Sequence, residues 1–137
     1  MAKGKKTNLS KYSKTVVPSG KPYRIGIVVA EWNPEITEAL LQGALDTLRK
    51  LKTVNCKLVK VPGSFELPYG ASLLAKKKNI DAVICLGCVI QGETKHFDFI
   101  CNACANGIVQ VSLEYQKPVI FGVLTTNTIA QAKARSG

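Results

Sequence analysis

The amino-acid sequence predicts an α/β fold, a four-stranded parallel sheet flanked by helices on both faces. Short apolar runs rich in β-branched residues alternate with longer segments of helical periodicity, in the order βαβαβαβα. The first of those runs is nearly continuous rather than alternating, which is the pattern of a strand covered on both faces. Strands joined through a helix pair in parallel by right-handed crossovers. The chain of 137 residues, 46% hydrophobic, is long enough for one domain with a core and too short for two.

Each element has its own signal. Arg24 to Ala30 (RIGIVVA) reads as a buried strand. Pro34 then opens a helix at its favoured first position, with Asn33 as the cap. Ile36, Leu40, Leu41, Ala44, Leu45 and Leu48 give that helix one apolar face. Residues 54–61 (VNCKLVKV) form a second strand, whose alternating lysines suit a sheet edge. A helix from about Leu67 to Lys77 follows, then a third strand at 82–90 (AVICLGCVI). The longest helix runs from about Phe97 to Tyr115, Pro118 starts the fourth strand (PVIFGVLT), and a last helix begins after Asn127. Only ten residues follow Asn127, so that helix needs packing to hold it.

The helix at 97–115 carries more apolar residues than one sheet-facing stripe requires: Phe97, Phe99, Ile100, Ile108, Val109, Val111 and Leu113, with small residues between. The excess predicts a second buried surface, most simply another copy of the chain, and hence a homo-oligomer.

The formal charge of +10 suggests nucleic-acid binding until it is located. Residues 1–24 hold seven Lys and Arg and no acid; residues 25–137 hold the other 12 bases and all 9 acids. The segment 1–21, rich in Lys, Ser, Thr and Gly, has little to bury and reads as a basic, flexible tail that solubilises the chain. The body, 22–137, is the single domain. No specific nucleic-acid partner and no membrane partner is expected: no run approaches the roughly eighteen apolar residues of a membrane span. Five cysteines behind a lysine-rich start with no apolar export segment point to free thiols and a cytoplasmic location.

Cys85, Cys88, Cys101 and Cys104 form two C-x-x-C pairs, a spacing used by structural zinc sites. Cys85 and Cys88 fall within a strand, where residues three apart point to opposite faces. Cys101 and Cys104 share a helical face flanked by Phe, Ile and Ala. These cysteines read as small core hydrophobes, and no metal is expected.

In an open parallel sheet, ligands bind beyond the carboxyl ends of the strands. The loops there read Glu31-Trp32-Asn33, Pro62-Gly63-Ser64-Phe65-Glu66, Gln91-Gly92-Glu93-Thr94-Lys95-His96 and Thr125-Thr126-Asn127. The only Trp and the only His fall on this rim. Taken singly, Trp32 also suits a core lid, Phe65 a helix staple and His96 a solvated first turn. Together they make a site. Trp32 offers a flat face for a heteroaromatic ring. Ser64, Phe65 and Glu66 precede a helix, where free N–H groups and a carboxylate meet carbonyls and hydroxyls. Gly92, Glu93 and Thr94, at the start of the long helix, suit a phosphate. His96 behind them can move a proton near neutral pH. No Gly-rich dinucleotide or P-loop motif is present. This set implies condensation chemistry on small-molecule substrates without a cofactor.

The motifs IGIVVAEWNPEIT, VPGSFELPYGA, LGCVIQGETKHFDFI, PVIFGVLTTNT and the final A-x-x-R-x-G resemble the lumazine synthase family from about Arg24 to Gly137. The resemblance implies a three-layer flavodoxin-like sandwich, assembled as pentamers or multiples of pentamers with active sites at subunit interfaces. It implies condensation of 5-amino-6-(D-ribitylamino)uracil with 3,4-dihydroxy-2-butanone 4-phosphate, with release of phosphate and water, in riboflavin biosynthesis. By the same resemblance Trp32, beside Asn33, stacks on the pyrimidine. Ser64, Phe65, Glu66, Cys88, Val89 and Ile90 hold the pyrimidine and ribityl chain, with Phe121 supplied by the adjacent subunit. Gly92, Glu93 and Thr94 lie on the phosphate side, joined by Arg135 from the neighbour, and His96 is the general acid/base. The chain departs from the family at Glu93, where a small residue is usual and whose side chain must point away or meet Lys95. It departs again at Gln91, which replaces a common Arg or Lys. It stops where the family continues through a Gly-Asn-Lys-Gly turn into a further helix, so the last helix is expected to be incomplete.

Overall fold

The computed structural model describes residues 17–137. The predicted tail over residues 1–16 lies outside the described residues. Gly20 donates its N–H to the Leu51 carbonyl and accepts from Thr53 Oγ1, so the folded body reaches back at least to Gly20.

Four strands, β1 (Arg24–Ala30), β2 (Asn55–Val61), β3 (Ala82–Ile90) and β4 (Val119–Thr126), form one sheet in the order β2-β1-β3-β4. Every pairing is parallel. This is the flavodoxin-like arrangement, in which the chain leaves β1 first toward one edge and later crosses to the other. β1 and β3 are the two inner strands, which explains their continuous apolar character, and lysine-bearing β2 is an edge.

Helices cover both faces. α1 (Pro34–Lys50) lays Leu40, Leu41, Ala44, Leu45 and Leu48 against Ile27, Val29 and Leu86. α2 (Leu67–Ala75) and α3 (His96–Tyr115) cover the opposite face, where Leu67, Leu74, Cys104 and Ile108 pack on Val28, Val83 and Cys85. The five-residue α4 (Ile129–Lys133) returns to the α1 side, its Ala132 fully buried with Ile36 and Cys88. Packing holds this short helix, with Thr128 Oγ1 capping the Gln131 N–H at 3.1 Å.

Several local expectations are corrected. Asn33 precedes α1, but its side chain makes no capping bond; it sits in the left-handed region (φ 59°, ψ 58°). α2 ends two residues sooner than the apolar pattern suggests and follows one turn of 3₁₀ helix, Ser64–Glu66. β4 begins at Val119 and β2 at Asn55. Gly92, Glu93 and Thr94 do not start the long helix, which begins at His96 with Lys95 as its cap residue.

Cys85 points into the α2–α3 core and Cys88 into the α1–α4 side, as residues three apart on a strand must. Burial pushes the Cys85 thiol up to about 12, with neighbouring Cys104 adding to it, and burial pushes Cys104 up to about 11, with Cys101 adding. These are inert packing thiols.

α3 leaves much apolar surface uncovered. Phe99 is 70% and Leu113 73% exposed, and Val109, with Ile120 and Phe121 of β4, is also exposed.

Candidate functional site

The site lies at the carboxyl ends of β1, β2 and β3, beside the point where the chain's connections diverge from the two inner strands. Backbone hydrogen bonds stitch the loops together. Glu31 N–H donates to the Val61 carbonyl at 2.8 Å, and Trp32 N–H to the Pro62 carbonyl at 3.0 Å. Asn33 Nδ2 donates to the Cys88 carbonyl at 3.0 Å. Three strand ends therefore share one scaffold. Asn33 tolerates its left-handed backbone better than most residues do. The turn it makes leaves the Trp32 ring 74% exposed, so Trp32 is no core lid.

The loop after β2 is pinned by Glu66. Its Oε2 accepts from the Gly63 N–H at 2.9 Å, while the Glu66 N–H donates to the Gly63 carbonyl at 3.2 Å. One carboxylate oxygen of Glu66 is thus spent on the loop. Ser64 is only 6% exposed, and its Oγ is buried without a hydrogen-bond partner. It fits there because β3 has Gly87 opposite: a Cβ on Gly87 would come within 2.5 Å of Ser64 Oγ and 2.9 Å of Leu67 Cδ1. Phe65, on the same turn, is exposed beside the opening.

His96 starts α3 with its N–H donating to Thr94 Oγ1 at 3.4 Å. Among the described residues, the amides of Gly92, Glu93 and Thr94 make no hydrogen bond within the chain, which leaves a row of donors ahead of the helix. Glu93 is exposed and makes no ion pair with Lys95.

These segments enclose a cavity of about 670 Å³, well within the range of small-molecule sites. It brings together Trp32 and Asn33, the turn Ser64–Glu66, residues 88–90 and His96. Pro62, Gly63 and Ile100 also line it, beyond the residues the sequence singles out. Ile100 stands one helical turn beyond His96, so its i+4 spacing carries the signal. The structure does not bring Gly92, Glu93, Thr94, Phe121 or Arg135 to the wall of this cavity. Phe121 lies on edge strand β4, and Arg135 Nη1 donates to the Gln131 carbonyl at 2.9 Å. Among the described residues no cluster of three or more His, Cys, Asp or Glu is placed to hold a metal.

The geometry suits a flat polar ring. Trp32 and Phe65 offer aromatic surface at the mouth, the β3 end offers backbone edges, and one imidazole can exchange protons. Residues 22–137 match the family described as 6,7-dimethyl-8-ribityllumazine synthase. The chain is 58% identical over 132 residues to the 6,7-dimethyl-8-ribityllumazine synthase of Cytophaga hutchinsonii, covering 95% of this chain and 82% of that one. The proteins of the same name from Parabacteroides distasonis and Porphyromonas gingivalis are 52% and 51% identical, with the same coverage.

Proposed function

This chain belongs to the 6,7-dimethyl-8-ribityllumazine synthase family, and from that premise we propose how its rim performs the reaction. The enzyme is a transferase of riboflavin biosynthesis. It condenses 5-amino-6-(D-ribitylamino)uracil with 3,4-dihydroxy-2-butanone 4-phosphate to give 6,7-dimethyl-8-ribityllumazine, releasing phosphate and water.

The pyrimidine lies against Trp32, with its edge toward the backbone of Cys88, Val89 and Ile90 and its ribityl chain along Ser64–Glu66. The observation that carries this assignment is the one cavity in which all these residues meet His96. The pyrimidine's amine attacks the ketone and forms an imine, phosphate leaves, and ring closure follows. His96 exchanges the protons these steps require. Alignment of amine and ketone supplies much of the acceleration, because holding two reactants in register removes several kcal/mol of entropic barrier. The free amides of Gly92–Thr94 bind the phosphate end, with Arg135 of a neighbouring copy.

A neighbour is required by this reading, since Phe121 and Arg135 do not reach the chain's own cavity. The exposed apolar surface of α3 and β4, with Phe99, Val109, Leu113, Ile120 and Phe121, supports a homopentamer or a multiple of it. Five unpaired cysteines support a cytoplasmic location.

Purified protein mixed with both substrates tests the assignment, with fluorescent lumazine and free phosphate followed together. Equimolar products above the spontaneous background support it. Folded protein that binds lumazine without accelerating its formation would show a binding module instead.

A further inference from the structure

The charge of the folded body is sorted by end. Of the fourteen Lys and Arg among residues 17–137, only Lys60, Lys95, Lys133 and Arg135 lie in the half at the carboxyl ends of the strands, together with six of the nine acids. The other ten bases lie in the opposite half, at strand starts and helix ends, with only Asp46, Asp81 and Glu114. Formal charge is therefore +7 at the amino end of the sheet and −2 at the catalytic end. Gly20, bonded to Leu51 at the close of α1, lies at the same positive end.

Two of the three acids are already engaged. Asp81 accepts from the Arg24 N–H at 2.7 Å and pairs with its guanidinium, and Asp46 pairs with Arg49 at 2.8 Å. Lys117 Nζ donates to the Ala75 and Lys77 carbonyls at the end of α2. No ion pair among the described residues engages Lys57, Lys76, Lys77 or Lys78. Lys57 stands on the α2 side of edge strand β2, and its ammonium meets that of Lys77. The contact holds the Lys77 ammonium below its ordinary range, with Lys57 the largest cause. Two like charges kept together on an open surface are a site where a bound anion gains from both.

We propose that the amino-end face of the sheet, centred on Lys57, Lys76, Lys77 and Lys78, binds the phosphate backbone of single-stranded RNA without regard to sequence. The face lies at the far end from the catalytic cavity and is independent of the synthase assignment. Its lysines supply point charges suited to a phosphodiester chain, and exposed Tyr23 supplies a ring for an unpaired base. An anionic membrane fits less well. The face is made of strand starts and helix ends, so among the described residues no amphipathic helix lies along it to enter a bilayer, and its exposed apolar residues, Val17, Tyr23, Val54, Leu113 and Ile120, come from separate elements.

The test uses the full chain and a fluorescent 20-nucleotide oligouridine, with anisotropy read between 50 and 200 mM salt. Wild type is expected to bind, with affinity falling linearly on logarithmic axes. Lys57→Gln, Lys76→Gln, Lys77→Gln and Lys78→Gln combined should weaken binding at least tenfold and flatten the slope by about 0.7 for each phosphate no longer neutralised. The thermal midpoint and circular dichroism should not change, which reports that the variant is folded; Lys77→Glu alone gives a second, milder reading. Wild-type binding by the combined variant would overturn the proposal. So would loss confined to a tail variant (Lys3→Gln, Lys5→Gln, Lys6→Gln), or binding to phosphatidylserine vesicles without binding to the oligouridine.

Discussion

The Asn33 side-chain amide donates to the Cys88 carbonyl at 3.0 Å and so fastens the loop after β1 to the end of β3. One short side chain both satisfies a strand-end carbonyl and occupies a left-handed backbone position.

Asn33→Ala removes the bond and replaces a residue that tolerates the left-handed region with one that does so less readily at φ 59°. The loss should be about 1–3 kcal/mol, about 1 from the hydrogen bond and up to about 2 from backbone strain that asparagine tolerates better than alanine. Asn33→Gly should lose less, because glycine accepts that conformation. Urea midpoints of the two variants check the order, and equal losses would show that strain plays no part.

His96→Ala should slow lumazine formation without abolishing it. Proton transfer by a placed side chain contributes about 10²–10⁴-fold, while alignment by the rest of the cavity persists. Steady-state turnover on protein of unchanged oligomeric size decides this. A rate equal to the uncatalysed background would mean that alignment contributes nothing by itself.

Arg135→Ala should raise KM for the phosphorylated ketone about tenfold or more and leave the KM for the pyrimidine alone, since a charge-assisted bond contributes about 1.5–3 kcal/mol. Unchanged KM for both substrates would remove Arg135 from the phosphate site.

Gly87→Ala tests the seating of Ser64. The added Cβ meets Ser64 Oγ at 2.5 Å and Leu67 Cδ1 at 2.9 Å, so the turn carrying Phe65 and Glu66 must shift. Overpacking of this kind costs about 1–3 kcal/mol. Pyrimidine binding, read by titration, should weaken along with thermal stability; weaker stability with intact binding would detach Ser64 from the site.

Asp81 gives a pH signature. Bonds from the Arg24 N–H, then from its side chain, hold this carboxyl below the usual carboxylate range. A carboxylate with a lowered folded-state pKa adds stability above its unfolded pKa of about 3.9 and loses it as pH falls through the folded value. Asp81→Asn should therefore destabilise the protein at pH 7, and the gap to wild type should close below about pH 4. Denaturation curves across that range check the sign.

Local signals foretell most of the fold. RIGIVVA and AVICLGCVI are strands over the spans their apolar runs mark, because inner strands need apolar residues on both faces. Asn33 holds the cap position before α1 but makes no side-chain capping bond, because its side chain finds a partner 55 residues away in sequence, and tertiary contact overrides local capping. Ile100 is hidden among the apolar residues of α3, although the helix's second turn still faces the cavity. Phe121 and Arg135 show the other limit: the fold leaves both outside the cavity, and the role proposed for them rests on a second copy.

The strand order also sets a timetable. Among the described residues β1 is the first strand synthesised, yet one of its two neighbours is β3, which ends at Ile90. At about 5–20 residues per second, some sixty residues emerge over roughly 3–12 s after Ala30 before the sheet can close around it. During that interval Ile27 and Val29 have only α1 and β2 for cover. An inner strand, apolar on both faces, is thus one the nascent chain must shield for several seconds before its second neighbour exists.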